Sequence, residues 1–225
     1  MFSRVALAMI AGLAICERLA ATCDGSSEAA TEQDDKSWNF SFSTLTYLAQ
    51  HERDYANPNF TADYDRLHLE ARYNYEALKT GSVWMGYNFE AGDTLKFEAT
   101  PMLGGVFGDI TGVAPGYEIN VTYNKNQREI IELSTEGEYF FDAGTRSGDF
   151  FYSWSEFSAW LPKTDYVRAG LVVERTQASG NSDVRRGPLV GFKHKCKDKD
   201  VDLTIYWLAP GSREATFVFG VTVDF

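Results

Sequence analysis

The sequence has 225 residues and carries 21 Lys and Arg against 32 Asp and Glu, which gives a formal net charge of −11. A chain of this length suits one domain. The acidic balance argues against a nucleic-acid partner, because phosphate binding requires clustered Lys and Arg. The mean hydropathy of −0.30 is typical of a soluble protein. It does not exclude a membrane protein in which only every second residue of a strand faces lipid.

The first 22 residues have the layout of a cleaved secretory signal. Arg4 supplies a positive charge, residues 5–15 form a short apolar run, and small residues follow it. The run is too short to span a membrane as a helix, and no later stretch reaches the ~18 apolar residues of a spanning helix. Residues 23–36 are polar, acidic and aperiodic, which predicts a flexible leader. We therefore expect residues 37–225 to form the folded part of the mature chain.

The three cysteines predict no metal site. Cys16 falls within the signal, Cys23 lies at the expected cleavage point, and Cys196 lies in a polar turn. Their spacing matches no metal-ligand pattern, so we expect no bound metal and no cofactor. The segment of small residues before Cys23 is one residue longer than in a usual lipoprotein box. We expect a free thiol at Cys23, with lipidation as the alternative.

A period of two in hydrophobicity begins at Trp38 and continues to the end of the sequence. In residues 66–75, for example, one face is apolar or aromatic and the other is densely charged, as in a strand between two different environments. Short polar turns separate the segments, which indicates antiparallel hairpins. The pattern slips after Phe42, which predicts a β-bulge in the first segment. The candidate strands are 38–48, 66–75, 83–89, 95–103, 117–123, 131–141, 151–161, 167–173, 187–195, 201–207 and 217–225.

Two features of these segments favour a membrane barrel over a soluble sheet protein. Many segments run roughly 9–11 residues, which is the length that crosses lipid at a tilt. Aromatic residues also recur near the segment ends, as an interfacial girdle requires. The predicted girdle contains Tyr73, Tyr75, Tyr87, Phe89, Tyr123, Tyr139, Phe141, Trp160 and Trp207.

The last segment carries a resemblance to a known class. Gly220, Val221, Val223 and Phe225 provide a glycine, alternating hydrophobic residues and a terminal aromatic. This ending resembles the C-terminal β-signal of bacterial outer-membrane β-barrel proteins, and the hairpin pattern extends the resemblance over nearly all of residues 37–225. The resemblance implies a small porin-like protein in the outer membrane of a Gram-negative-type bacterium. It also implies contact with outer-membrane lipid and lipopolysaccharide, and recognition by the barrel-assembly machinery.

The predicted fold class is therefore all-β, an antiparallel up-and-down transmembrane β-barrel. Single-chain bacterial barrels have an even number of strands, so the list of candidate strands contains one too few or one too many. We expect about 12 strands, with about 10 as the alternative. The regions in doubt are residues 38–59 and 104–116. A barrel of this size has a narrow lumen that side chains can largely fill.

Charged side chains are frequent on the faces that we infer to point into the lumen. One interpretation is structural, because ion-paired charge inside a narrow barrel is commonly structural. The other is functional, because a surplus of carboxylates would line a pore that prefers cations. Both interpretations stay open at the level of the sequence. The predicted lumen charge network is Arg66, His68, Glu70, Arg72, Lys96, Glu98, Glu118, Glu132, Glu136, Glu138, Arg168 and Glu174.

Three functions compete. We predict a small porin-like channel for ions or small solutes with an acidic lumen. The first alternative is a plugged structural or surface-interaction barrel, and the second is a membrane-embedded hydrolase. We expect no enzymatic activity, because the sequence contains neither a nucleophile motif nor the patterns of lipid A deacylases and outer-membrane proteases. His68 is then a lumen histidine within a charge network.

Overall fold

The computed structural model describes residues 37–49, 53–126, 128–144, 148–162, 164, 166–196 and 199–225. The predicted signal and leader lie outside these residues, so their boundaries stay predictions. Within the described part of the chain, no helix is long and apolar enough to span a membrane. The strand segments are β1 (Trp38–Ala49), β2 (Tyr55–Tyr64), β3 (Leu67–Tyr73), β4 (Thr80–Tyr87), β5 (Phe89–Ala91), β6 (Leu95–Gly108), β7 (Gly112–Lys125), β8 (Arg128–Asp142), β9 (Phe150–Trp160), β10 (Val167–Ala178), β11 (Asn181–Cys196), β12 (Lys199–Leu208) and β13 (Thr216–Asp224).

The segments form one closed antiparallel barrel. Neighbours in the chain pair with each other, and β1 closes the barrel against β13 in a register that joins Ser41 to Asp224. β4 and β5 both pair with β6 and are separated only by Asn88, so they form one interrupted strand. The barrel therefore has 12 strands, which confirms the predicted fold class and the preferred strand number.

The strand that the sequence pattern did not reveal is β2. Its centre is Asn57-Pro58-Asn59, and both residue types are disfavoured in the interior of a strand. Pro58 pairs with Thr44 of β1, but β2 pairs with β3 only from Asn59 onward. The proline is tolerated here because the ladder on its β3 side is absent.

The bulge predicted in β1 is wrong. Residues from Ser41 to Ala49 pair with β13 without a shift in register. The alternation continues, but with apolar side chains on the inside: Tyr47 is only 2% exposed and packs with Leu45 against other lumen residues. The pattern slipped because these two residues belong to an apolar filling of the lumen.

Large apolar side chains cover the outside of the barrel. Leu103, Leu171 and Met85 are 62%, 61% and 60% exposed, and many aromatic side chains are exposed beside them. An exterior of this kind matches the lipid-facing surface of a membrane barrel. Two residues of the predicted girdle are not part of it, because Tyr75 lines a cavity inside the barrel and Trp160 is only 9% exposed and also faces the lumen.

The two ends of the barrel are distinguished by the turns that they hold. We call the end with Trp38 and Phe225 the terminal rim. It also contains the turns after β2, β5, β7, β9 and β11. We call the opposite end, with the turns after β3, β6, β10 and β12, the distal rim.

Apolar side chains fill the lumen towards the distal rim. Val172, Leu208 and Val218 have no exposed surface, so this half of the barrel has a packed core. A lumen filled by side chains is expected for a barrel with few strands. One cluster contains Tyr47, Trp154, Val172, Leu189, Tyr206, Leu208 and Val218. A second contains Trp84, Met102, Val106, Ala114 and Phe140.

Candidate functional site

The lumen towards the terminal rim is a cavity of about 800 Å³. Its lining reaches the terminal rim at Asn39, Lys193 and Asp224 and extends inward to Tyr75 and Tyr206, beside the apolar filling. Apart from Tyr75, the lining includes no described residue of the distal rim. A second cavity of about 420 Å³ shares part of this lining. The space is therefore a cup that ends inside the barrel.

Carboxylates dominate the lining of the cup. Twelve of them face it, whereas its basic residues are Arg168, Lys193 and the imidazole of His68. Such a surplus gives the cavity a negative potential, which low-dielectric walls strengthen. The carboxylates belong to Asp63, Asp65, Glu70, Glu90, Glu98, Glu118, Glu132, Glu136, Glu156, Asp200, Asp202 and Asp224.

Arg72 is the centre of the deepest charged cluster. His68, Glu70 and Arg72 occupy alternate positions of β3, so all three point into the lumen, where each is buried. The Arg72 guanidinium bonds to Glu70 and lies 3.6 Å from the carboxylates of Glu118 and Glu138. One strand thus supplies a cation that contacts two further strands, β7 and β8.

Trp84 covers the Arg72 guanidinium because glycines leave room for its indole. The guanidinium carbon lies 4.7 Å from the centroid of the Trp84 ring, a cation–π distance. Gly104 lies opposite Trp84, and a Cβ at this position would overlap the indole. A Cβ at Gly116 would lie 2.8 Å from the same ring. The glycines of β6 and β7 are therefore part of the packing around the charge.

The turn between β3 and β4 bends into the lumen. Asn74 has a φ of 59°, and its side-chain amide donates a hydrogen bond to the carbonyl oxygen of Ala56 at 3.0 Å. The next residue, Tyr75, donates its hydroxyl hydrogen to Glu136 and packs edge-on against Tyr152 at 5.6 Å. The side chain that the alternation assigned to lipid therefore lies at the floor of the cup, because the turn ends the strand before it.

His68 contacts a carboxylate with each ring nitrogen. Nδ1 lies 2.8 Å from Oδ1 of Asp63, and Nε2 lies 3.0 Å from Oε1 of Glu70. Asn88 donates a hydrogen bond to the same Asp63 oxygen at 2.7 Å. A nucleophile–His–acid arrangement needs one ring nitrogen next to a hydroxyl or thiol. The two carboxylate contacts leave no such nitrogen at His68.

Arg168 is the centre of a second charged cluster, closer to the terminal rim. Its guanidinium lies 3.2 Å from Asp202, 3.5 Å from Glu156 and 3.7 Å from Glu132. It also donates a hydrogen bond to the Thr204 hydroxyl at 2.9 Å. Three carboxylates that line the cup thus share one cation.

Three residues of the predicted charge network lie apart from these two clusters. Lys96 and Glu98 contact each other at 2.8 Å near the terminal rim, and Lys96 also lies 3.1 Å from Glu90. Glu174 is buried near the distal rim and pairs with Arg185 at 2.7 Å. The network is therefore a set of separate clusters along the lumen.

Arg66 is not a lumen residue, and its predicted placement was wrong. It lies in the turn between β2 and β3, is exposed, and places its guanidinium 5.8 Å from the ring of the outward-facing Tyr87. The alternation of β3 begins only at Leu67. The prediction that Arg66 faces the lumen failed because the alternation of β3 was extended one residue back into the preceding turn.

Four titratable side chains of the two clusters were absent from the predicted network. Asp63 lies on β2, which the proline concealed, and Tyr75 lies in the inward-bent turn. Glu156 lies on a strand whose aromatic residues occupy both faces, because Trp154 fills the lumen. Asp202 could have been found, because the alternation of β12 already assigns it to the inner face.

The residues of the predicted assembly signal lie at the seam of the barrel. Phe225 exchanges two backbone hydrogen bonds with Phe40, at 2.9 and 3.1 Å. Val221 and Val223 pair with Thr44 and Phe42 of β1 in the same ladder. Gly220 lies beside them with its backbone facing the cup. Recognition of these residues by an assembly machinery stays a prediction.

The closed barrel, its apolar exterior and its charged interior give the chain the architecture of a bacterial outer-membrane β-barrel. An outer-membrane location is what this architecture predicts. No protein-family model and no curated protein matches the sequence.

Solved structures with a similar fold are outer-membrane barrels. The KdgM porin is similar with a TM-score of 0.53 and 10% identity, over 82% of this chain and 98% of that one. The translocator domain of the autotransporter NalP from Neisseria meningitidis has a TM-score of 0.45 and 12% identity, over 99% and 97% of the two chains. Omp33 from Acinetobacter baumannii has a TM-score of 0.43 and 10% identity, over 84% and 97%. Identities this low show a shared fold alone.

Proposed function

We propose that this outer-membrane barrel binds small cationic solutes in its acidic cup and is closed to steady ion flow. The observation that carries the proposal is a cavity of about 800 Å³ whose lining has twelve carboxylates and whose inner end meets apolar packing. Negative charge between low-dielectric walls concentrates cations. The filled distal half of the lumen opposes their passage. This function corresponds to the plugged barrel rather than to the open channel that the sequence favours.

A cation-selective channel is the second candidate. It is supported by the same carboxylates, since a pore lined by acidic side chains prefers cations. It needs a path past Tyr75 and the apolar clusters, so those side chains would have to move. The likeness to a porin concerns the fold and does not decide between the two candidates.

The proposal is tested by the charge preference of a reporter thiol inside the cup. Ser134 lines the cavity, so Ser134→Cys is placed in a Cys23→Ser, Cys196→Ser background and reacted with a cationic or an anionic methanethiosulfonate. The ratio of the cationic to the anionic reaction rate is divided by the same ratio measured at Ser182→Cys, an exposed position near the distal rim. This division corrects for the intrinsic reactivity of the two reagents. We expect the cup to favour the cationic reagent by roughly 10-fold or more at low ionic strength.

Two controls make the result specific to the carboxylates. The preference should fall towards one between 0.1 M and 1 M salt, because the screening length shortens from ~10 Å to ~3 Å. It should also fall when Glu132→Gln and Glu136→Gln are combined, since both residues line the cup. Glu138 is left unchanged, because it lies against Arg72 and not on the cavity surface. Equal relative rates for the two reagents would refute the proposed function.

A further inference from the structure

We propose that His68, Glu70 and Glu118 form a binding site for a divalent transition-metal ion, of which Zn²⁺ is the probe. One ligand atom from each residue lies within 4.8 Å of the other two. Imidazole and carboxylate together are a donor set that suits first-row divalent cations. The site opens into the cup. The metal-site proposal does not depend on whether the cup binds organic cations.

The three ligands need little movement to meet one ion. Two bonds of ~2.1 Å at a tetrahedral angle place their ligand atoms ~3.4 Å apart. His68 Nε2 and Glu70 Oε1 are already 3.0 Å apart. The Glu118 side chain is 33% exposed, so it can approach from the cavity side without disturbing buried packing. All three residues line the cavity, so water can reach an ion that they bind.

Neighbouring side chains fix the orientation of His68 and Glu70, as second-layer residues do around the ligands of protein metal sites. Asp63 contacts Nδ1 of His68 at 2.8 Å, and Asn88 in turn holds Asp63 at 2.7 Å. This contact fixes the ring and leaves Nε2 towards the metal position, as the carboxylate–histidine pairs of metal sites do. Arg72 bonds to the other oxygen of Glu70, so that carboxylate can serve the guanidinium and the ion together.

The charges around the site also favour a bound cation. Among the described residues in contact there, Arg72 and His68 face a surplus of carboxylates. The Glu138 side chain is only 2% exposed, and neither of its carboxylate oxygens has a hydrogen-bond partner. Buried carboxylates without sufficient counter-charge are costly, and a divalent ion offsets that cost. The carboxylates are Asp63, Glu70, Glu118, Glu136 and Glu138.

The alternation of the sequence predicted three inward side chains here but did not predict that they meet. His68 and Glu70 are two residues apart on β3, whereas Glu118 lies on β7, a strand that does not pair with β3. The usual spacing patterns describe ligands close together in the chain, mostly Cys and His. Only the closure of the barrel brings this third ligand to the other two.

The test is calorimetric titration of Zn²⁺ into the folded, chelator-treated protein in detergent. The protein carries Cys23→Ser and Cys196→Ser and has no affinity tag, so thiols and tags do not bind the ion. We expect one Zn²⁺ per chain. His68→Gln should weaken binding by at least roughly 10- to 100-fold, and Asp63→Asn should weaken it by roughly the same factor. His194→Gln, at an exposed position on the terminal rim, is the matched control and should bind as before.

Further measurements keep the proposal falsifiable if His68→Gln does not fold. Glu118→Gln removes the most exposed of the three ligands and should weaken Zn²⁺ binding in a barrel that retains its heat-modifiable gel mobility. Co²⁺ should give a visible absorption band in the parent protein that His194→Gln retains and Glu118→Gln loses. Ca²⁺ in equimolar amount should not displace Zn²⁺, since imidazole is a poor ligand for hard cations.

Two outcomes would overturn the metal site: no stoichiometric Zn²⁺ binding by the parent protein, or equal binding by the folded ligand variants. The reporter thiol at Ser134→Cys separates this result from the proposed function. If the cationic preference of the reporter thiol persists in Glu118→Gln while Zn²⁺ affinity falls, the two features are distinct. If Zn²⁺ binds and the preference is absent, only the proposed function fails.

Discussion

At the scale of single residues, Arg72 has the most demanding environment in the lumen. It is 6% exposed and contacts three carboxylates, and its guanidinium carbon lies 4.5 and 4.7 Å from the ring centroids of Tyr75 and Trp84. Removing one partner from a buried ionic cluster leaves uncompensated charge, which costs more than the cluster itself contributes. Arg72 therefore stabilises the barrel chiefly by neutralising its neighbours.

We expect Arg72→Met to lower the free energy of unfolding by roughly 3–5 kcal/mol, because buried carboxylates lose their counter-charge. Arg66→Met, six residues earlier at the exposed turn, should change it by only ~0.5 kcal/mol. Urea unfolding of the barrel in lipid vesicles, followed by tryptophan fluorescence, measures both. A similar loss in the two variants would mean that Arg72 is not the centre of a buried cluster.

The assignment of faces is tested on two adjacent residues of β8. Leu133 is 45% exposed on the outer surface, whereas Ser134 lines the acidic cup. Leu133→Arg places a charge in lipid near the middle of the strand and should cost roughly 2–4 kcal/mol. Ser134→Arg places the same charge among carboxylates and should retain near-normal folded yield in refolding into vesicles. The opposite order would mean that the register is displaced by one residue, which exchanges the faces.

At the scale of elements, β1 and β13 meet in the seam that closes the barrel. Their ladder runs from Ser41 to Ala49, and Phe225 adds two backbone hydrogen bonds to Phe40. Deletion of Phe225 removes these bonds and the stacking of its ring on Phe40 at 6.2 Å. We expect this deletion to lower the yield of heat-modifiable protein in isolated outer membranes several-fold.

The matched controls for the seam are Phe225→Tyr and deletion of three residues from the acidic leader. Phe225→Tyr keeps both the backbone and the ring, so its yield should stay close to that of the parent protein. Shortening the leader should leave the yield unchanged, because the described seam begins after residue 37. An equal loss on shortening the leader would contradict a specific role of the last strand.

The strands that could be predicted from the sequence are those in which apolar side chains facing lipid alternate with polar side chains facing the lumen. β3 shows this most clearly, since its outer face is apolar and its inner face is charged. Prediction failed where that contrast was absent. The apolar lumen residues Leu45 and Tyr47 disturbed β1, and Pro58 concealed β2. Periodicity also does not show a turn that bends inward, as at Tyr75.

The composition of the site could be predicted more readily than its grouping. The alternation placed His68, Glu70 and Glu118 on inner faces, but it does not specify which strands lie near each other across a lumen. The contact of Arg72 with Glu118 and Glu138 joins β3 to two strands with which it does not pair, and the position of Trp84 depends on glycines in two other strands. Such contacts between distant strands need the three-dimensional structure.

At the scale of the whole molecule, the lumen changes along its axis from an acidic cup to a mostly apolar filling. The cup opens towards the terminal rim, and the apolar clusters occupy the lumen towards the distal rim. The apolar half stabilises the barrel by excluding water, and under the proposed function it also separates the cup from the distal end. Binding without passage is the central claim that follows from this division.

Planar-bilayer recording of the purified barrel tests this claim most directly. We expect no steady conductance from the parent protein at moderate voltages, with its folded state verified by heat-modifiable mobility. The positive control is a variant that combines Trp154→Ala, Tyr206→Ala and Leu208→Ala, which removes inward side chains of one apolar cluster. This variant should conduct cations in preference to anions, and its current shows that the recording detects an open lumen. A steady, reproducible current through the parent protein would contradict the account.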